Sequence, residues 1–133
     1  MAPVLPLAID SEAVEDARLG IPDPRVLELA VETFEALSDR TRAKILYALV
    51  RRPLCVRDLA LTVAASESAV SHHLRLLRDR RLVRSVRREG NQIEYRLDDH
   101  HVAALFREAE YHADHVRAGL PDHSYPEARG ADS

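Results

Sequence analysis

The residues best equipped for chemistry lie near the C-terminal end of the chain: Asp99, His100 and His101, followed by His112 and His115. A carboxylate and several imidazoles are the donors that borderline divalent metals favour. If residues 99–115 form a helix, each step turns the chain by about 100°, so the steps from His101 to His112 return to within about 20° of the start. The two histidines share a face, yet a rise of about 1.5 Å per residue separates them by roughly 16 Å along the axis. Zinc holds nitrogen ligands at about 2.0–2.1 Å, so one chain cannot close such a site. A second copy of the helix running antiparallel sets His112 and His115, an i,i+3 pair on adjacent turns, beside Asp99 and His101 of the partner subunit. The result is a pair of tetrahedral Asp-His-His-His sites related by a two-fold axis. Spacing alone also allows a set of solvated surface histidines, and the elements that position these residues have to decide.

The 133 residues suit one domain, and a hydrophobic share of 46% is ordinary for a globular chain. No apolar run approaches the roughly 18–20 residues that span a bilayer, and the N-terminal prolines and acids do not resemble a signal segment, so a cytoplasmic protein is expected. A single cysteine, Cys55, excludes an internal disulfide and any Cys-x-x-Cys motif. The net charge of −3 conceals a division: residues 40–96 carry 14 Lys and Arg against 5 Asp and Glu, while the remainder carries 5 against 17. Such asymmetry points to a polyanion-facing surface, with a solvated basic face as the alternative.

Residues 1–23, with Pro3, Pro6, Pro22 and an acidic patch, read as a mobile arm with room for a short helical turn. From Pro24 to Leu37 the spacing predicts a helix capped by Asp23, with Val26, Leu27, Ala30, Phe34 and Leu37 in period and Leu29, Val31 and Ala36 widening the apolar surface. A helix apolar on more than one side suits a subunit interface. Ser38 is expected to cap a second helix over about Asp39–Arg51, with Ile45, Leu46 and Leu49 inward and Arg40, Arg42 and Lys44 exposed. A short helix follows over about Val56–Val63, and Ala64-Ala65-Ser66 turns into another.

That next helix has Ser66 as N-cap and Val70, Leu74 and Leu77 as its buried stripe. Ser68, Ser71, His72, Arg75 and Asp79 then fall on the opposite side, a face built to touch something polar. Two helices joined by a tight turn make a helix-turn-helix, whose second helix enters the major groove. Arg75 can donate a bidentate pair to guanine, while serines serve phosphates or base edges. After Arg81 the period becomes two: Ile93, Tyr95 and Leu97 alternate with Gln92, Glu94 and Arg96, residues 82–87 supply a partner strand, and Glu89-Gly90-Asn91 is turn chemistry. The hairpin tip carries Arg87 and Arg88, placed to reach phosphates or a minor groove. The expected fold class is mainly α with a small β-hairpin, a homodimeric winged helix-turn-helix, divided as an arm (1–23), a DNA-binding and dimerisation domain (24–116) and a flexible tail (117–133).

Over about residues 24–116 the chain resembles the ArsR/SmtB metal-responsive repressors, through ALSDRTRAKILYAL, LCVRDLA, SESAVSHHLRLLRDRRLV, VRREGNQIEYRL and DDHHVAALFREAEYHADH. It is most similar to the zinc- and cobalt-sensing branch with its metal site on the C-terminal dimer helix. The resemblance implies a homodimer that binds an inverted-repeat operator in double-stranded DNA when metal-free and releases it when zinc binds, derepressing metal-resistance or efflux genes. Asp99, His101, His112 and His115 match the family's ligand positions, although some members have glutamate where this chain has His115. The added nitrogen suits zinc, cobalt or nickel better than calcium or magnesium. The family also implies a coupling bond from the second ring nitrogen of His112 to a main-chain carbonyl near Arg81.

Thiolate-sensing branches need a second cysteine, and Arg57 stands in that place, so Cys55 reads as a buried small hydrophobe. His100 points about 100° away from His101 and is not assigned as a ligand; His72 faces DNA and His73 the edge of the core. His123, in the tail, is a ligand only if octahedral nickel or cobalt sensing recruits the termini. An enzyme is not expected, since no nucleophile–base pair, Gly-rich phosphate loop or HExxH is present. A DNA-binding regulator without metal response is the remaining alternative, and neither a membrane nor a small organic substrate is expected.

Overall fold

A computed structural model describes residues 6–119. The arm contains a helix, α1 (Ser11–Arg18), whose N-cap Asp10 accepts from the Ala13 N–H; every residue of it is exposed. In α2 (Pro24–Leu37) the Asp23 carboxylate accepts from the N–H groups of Arg25 and Val26, and Pro24 opens the helix at no hydrogen-bond cost, as its sequence predicts. Only Ala36 of this helix is buried, while Val26, Leu27, Leu29, Val31 and Phe34 are between 42% and 58% exposed. An apolar face of that extent outside the core is one awaiting a neighbour.

Helix α3 (Arg40–Arg51) is capped by Asp39, whose carboxylate accepts from the Arg42 N–H. Ser38, expected as the cap, instead closes α2, its hydroxyl donating to the Glu35 carbonyl. The two residues divide the work because adjacent helices leave orphan carbonyls on one side and orphan N–H groups on the other. After β1 (Leu54–Cys55), α4 (Val56–Val63) ends at Ala64, which takes the left-handed conformation at φ 57° and so makes the tight turn into α5 (Glu67–Asp79). The Ser66 hydroxyl caps α5 by accepting from the Ala69 N–H at 3.0 Å.

The expected hairpin is present as β2 (Val83–Arg87) and β3 (Ile93–Leu97), joined by a turn over Glu89–Asn91 in which Gly90 and Asn91 both have positive φ. Sequence reading missed β1, which pairs antiparallel with β3 through Leu54↔Tyr95 and Cys55↔Glu94 and makes the sheet three-stranded, order β1-β3-β2. Two residues carry no readable period, so only the tertiary pairing reveals this strand. Cys55 is half-buried at that edge, not fully enclosed as expected.

One core joins these elements: Ile45, Leu46 and Leu49 of α3, Leu59 and Val63 of α4, Val70, Leu74 and Leu77 of α5, Val83 of β2, and Val102 and Phe106 of the last helix. That helix, α6 (His100–Ala118), begins at its N-cap Asp99 and stops at Gly119, left-handed at φ 67°. Val102 and Phe106, four residues apart, anchor its first half; beyond Phe106 no residue of it is buried. No helix of the described residues is long and apolar enough to cross a membrane.

Candidate nucleic-acid interface and metal centre

The stripe Val70, Leu74 and Leu77 holds α5 against the core, which turns Ser68, Ser71, His72, Arg75 and Asp79 to the surface, all exposed. Ser66 is exposed as well, but its hydroxyl is engaged in the cap. At the hairpin tip Arg87 donates to the Asn91 side-chain oxygen at 3.3 Å and Arg88 pairs with Glu94 at 2.9 Å. Exposed pairs of this kind add little stability and exchange readily for a phosphate.

Arg42 departs from its expected exposed position. Its Nε donates to the Ala36 carbonyl at 2.6 Å, and its guanidinium lies 3.5 Å from Nδ1 of His73. The side chain therefore joins the end of α2, the start of α3 and the inner edge of α5. The Arg42 N–H holds the Asp39 carboxyl below its ordinary 3.8, against an opposing desolvation effect, with the Arg42 and His73 charges assisting.

At the start of α6 Asp99 has a role that ligand spacing does not disclose. Its Oδ1 accepts from the N–H groups of His101 at 2.9 Å and Val102 at 3.4 Å. The same oxygen lies 3.4 Å from Nδ1 of His101, so the structure brings these two candidate ligands together. Desolvation pushes the carboxyl up, but the two backbone bonds and the neighbouring His101 outweigh it and hold Asp99 below 3.8. All these contacts fall on Oδ1 and leave Oδ2 outside the cap. The rings of His100 and His101 stack with centroids 4.2 Å apart, so side-chain rotation cancels much of their backbone divergence.

His112 and His115 lie on the second half of α6, His112 exposed and His115 partly covered. Among the described residues no three His, Cys, Asp or Glu side chains of one chain converge on a common point, and no hydrogen bond joins His112 to Arg81 within the protomer. Arg81 itself is exposed and left-handed at φ 59°. His123 lies outside the described residues. Arg57, in the place where a second thiolate would stand, pairs with Glu67 at 3.7 Å on the surface. Sequence reasoning also missed Tyr47, whose hydroxyl donates to the Phe106 carbonyl; helical period sets it roughly opposite Ile45, Leu46 and Leu49, on the side that reads as outward.

A helix-turn-helix whose second helix is exposed along one polar stripe, followed by a basic hairpin, defines a winged helix-turn-helix regulator. Residues 39–85 match the family described as bacterial regulatory protein, arsR family. The chain is 45% identical over 107 residues to the transcriptional repressor SmtB homolog of Synechocystis, covering 78% of each. It is 43% identical over 103 residues to the HTH-type transcriptional regulator KmtR of Mycobacterium tuberculosis, covering 77% of this chain and 78% of that one. Among solved structures, the homodimeric winged helix-turn-helix DNA-binding domain of a possible ArsR-family regulator from Mycobacterium bovis superposes with a TM-score of 0.68 at 27% identity, covering 79% of this chain and 98% of that one. The chain belongs to the ArsR/SmtB family of transcriptional regulators. These relatives are regulators and not enzymes, in agreement with the sequence reading.

Proposed function

We propose that the chain is a homodimeric, cytoplasmic repressor that occupies an inverted-repeat operator when metal-free and leaves it when zinc, or cobalt, binds, so that metal-efflux or resistance genes are transcribed. The observation that carries this reading is the division of α6: its first half is anchored by Val102 and Phe106, while the half bearing His112 and His115 packs into no core of its own protomer. Asp99 and His101 of one subunit, with His112 and His115 of the partner subunit, would hold the ion. One carboxylate and three imidazoles fit a borderline divalent cation. Oδ2 of Asp99 lies outside the cap, so ligation and helix capping are compatible there.

The exposed apolar face of α2 supports dimerisation, extending the surface that two copies would share. Residues 24–116 act as the DNA-binding and dimerisation unit, with 1–23 and 117–133 as its arm and tail. Ser68, Ser71, His72 and Arg75 meet base edges and phosphates, Ser66 marks the helix end facing the groove, and Arg87 and Arg88 meet the flanking backbone. Because α6 is fixed to its own protomer's core, holding two α6 helices in one relation also sets the relation of the two α5 helices. His112, through its second ring nitrogen and the backbone near Arg81, would couple the ion to the end of α5.

The test is binding of the operator duplex with and without stoichiometric zinc. Zinc is expected to release the wild-type chain and to leave a His112→Ala chain bound; equal zinc-driven release by both would overturn the switch.

A further inference from the structure

We infer that His73 is a positioning residue for operator binding: as a neutral imidazole it joins the recognition helix α5, through Arg42, to the end of α2. Arg42 is held twice before it reaches α5. Its main-chain N–H donates to the Asp39 carboxylate at 3.0 Å, and its Nε donates to the Ala36 carbonyl at 2.6 Å. That carbonyl belongs to the last turn of α2, which has no basic residue of its own, so Arg42 also supplies the cation that a helix C-terminus favours. The remaining guanidinium nitrogen, Nη1, lies 3.5 Å from Nδ1 of His73.

A guanidinium only donates, so Nδ1 must accept and the ring proton must sit on Nε2. Protonation of the ring sets an N–H against an N–H and two cations 3.5 Å apart, and the contact is lost. The other ionisable groups around His73 are Asp39, whose charge opposes this effect, and His72, with its ring centroid 6.1 Å away. The Asp39 carboxylate is already engaged by the Arg42 N–H as the cap of α3, whereas Arg42 faces Nδ1 itself, so the guanidinium prevails. From α2 the cluster receives a carbonyl and not a charge. The contact is therefore complete at a pH where imidazole is neutral and disappears as pH falls.

Its place in the fold gives the contact a consequence. His73 is half-buried at the border between the core stripe Val70, Leu74 and Leu77 and the exposed face of α5. Among the described residues, the only other polar side-chain link from α5 to another element is the exposed Arg57–Glu67 pair with α4, at 3.7 Å. Helix α2 carries the apolar face assigned above to a second copy, so Arg42 and His73 relate that surface to the helix that reads DNA. Two copies of α5 must meet their half-sites at one fixed spacing, and a loosened relation of α2 to α5 is expected to lower affinity.

The inference rests on the DNA-binding reading above, and the experiment separates the two. A duplex is selected from a random-sequence pool by the metal-free, full-length wild type. Its affinity for wild type, His73→Asn and His73→Leu is then measured in chelator between about pH 8 and about pH 5.5, the range in which imidazoles change charge. The asparagine oxygen accepts near the place of Nδ1 at every pH, and leucine accepts at none. Wild type and His73→Asn should bind alike at about pH 8, and wild type should fall about threefold to tenfold behind at about pH 5.5, the worth of one such hydrogen bond. His73→Leu should be weaker than both at about pH 8 by a similar factor. His72 is present in every chain, so its own titration cancels from these ratios. Melting curves at both ends of the range restrict the comparison to folded chains. A ratio of wild type to His73→Asn that stays constant, or that rises on acidification, overturns this inference while the DNA-binding reading stands. So does a folded His73→Leu chain that binds as tightly as wild type at about pH 8. A wild type that selects no duplex overturns both readings.

Discussion

The Tyr47 hydroxyl donates to the Phe106 carbonyl at 3.2 Å, and the two rings meet edge to face with centroids 4.7 Å apart. This single contact ties α3, the helix behind the helix-turn-helix, to the anchored half of α6. Tyr47→Phe keeps the ring packing and removes the bond, for which a loss of about 1 kcal/mol is expected in urea unfolding. It should also weaken the communication between zinc and DNA more than it weakens zinc binding itself, as measured by operator affinity at saturating and zero zinc.

The same residue gives a pH signature. Partial burial raises the Tyr47 phenol above its ordinary 10.0, with Glu110 adding to the effect. A group whose folded-state pKa is the higher one contributes stability that is complete below pH 10.0 and disappears as pH rises through the folded value. The alkaline fall in melting temperature should therefore be shallower in Tyr47→Phe than in wild type.

Asp99 serves both as helix cap and as candidate ligand, and two substitutions separate these roles. Asparagine caps helices as well as aspartate does but lacks the charge. Asp99→Asn should preserve the helical circular dichroism while lowering zinc affinity by more than the roughly tenfold to hundredfold seen when an outer-shell partner is lost. Asp99→Ala should lower zinc affinity similarly and also reduce melting temperature. Equal zinc affinity in Asp99→Asn and wild type would remove Asp99 from the ligand set.

Arg42 spans α2, α3 and α5 through the Ala36 carbonyl and His73. Its removal leaves a partly buried carbonyl unsatisfied, and Arg42→Ala should destabilise by about 1–3 kcal/mol in chemical denaturation. Arg40→Ala, at an exposed position one turn boundary away, should change stability by no more than about 0.5 kcal/mol.

Cobalt(II) reports ligand number without DNA. Intense tetrahedral d–d absorption is expected from the four proposed donors, and it should diminish in His115→Ala. Weak octahedral bands would instead point to additional ligands such as His123 and against the four-donor set.

The elements legible in the sequence were those with a sustained period and a local stop signal: α2 between Asp23-Pro24 and Leu37, α5 behind Ser66, and the hairpin around Gly90. Features decided by contacts between distant segments were not. The pairing of Leu54 with Tyr95 creates a strand too short for any period, and the reach of Arg42 to Ala36 makes a charged residue structural. Asp39 took the cap expected at Ser38 because two candidate caps stood side by side and only the chain reversal between α2 and α3 assigns them. For the candidate site, spacing proposes Asp99, His101, His112 and His115 as ligands, but the cap role of Asp99 and the stacking of His100 on His101 depend on rotamers that spacing does not contain.

The central claim is that the metal site is shared by two chains, and mixed dimers test it most directly. One variant carries Asp99→Asn with His101→Ala, the other His112→Ala with His115→Ala, and each alone should bind no zinc tightly. Their mixed dimer rebuilds one complete site from the intact halves of the two chains, so zinc binding should reappear on mixing at one ion per mixed dimer. If the mixture binds no more zinc than the separate variants, although exchange into mixed dimers is demonstrated, the shared site does not exist.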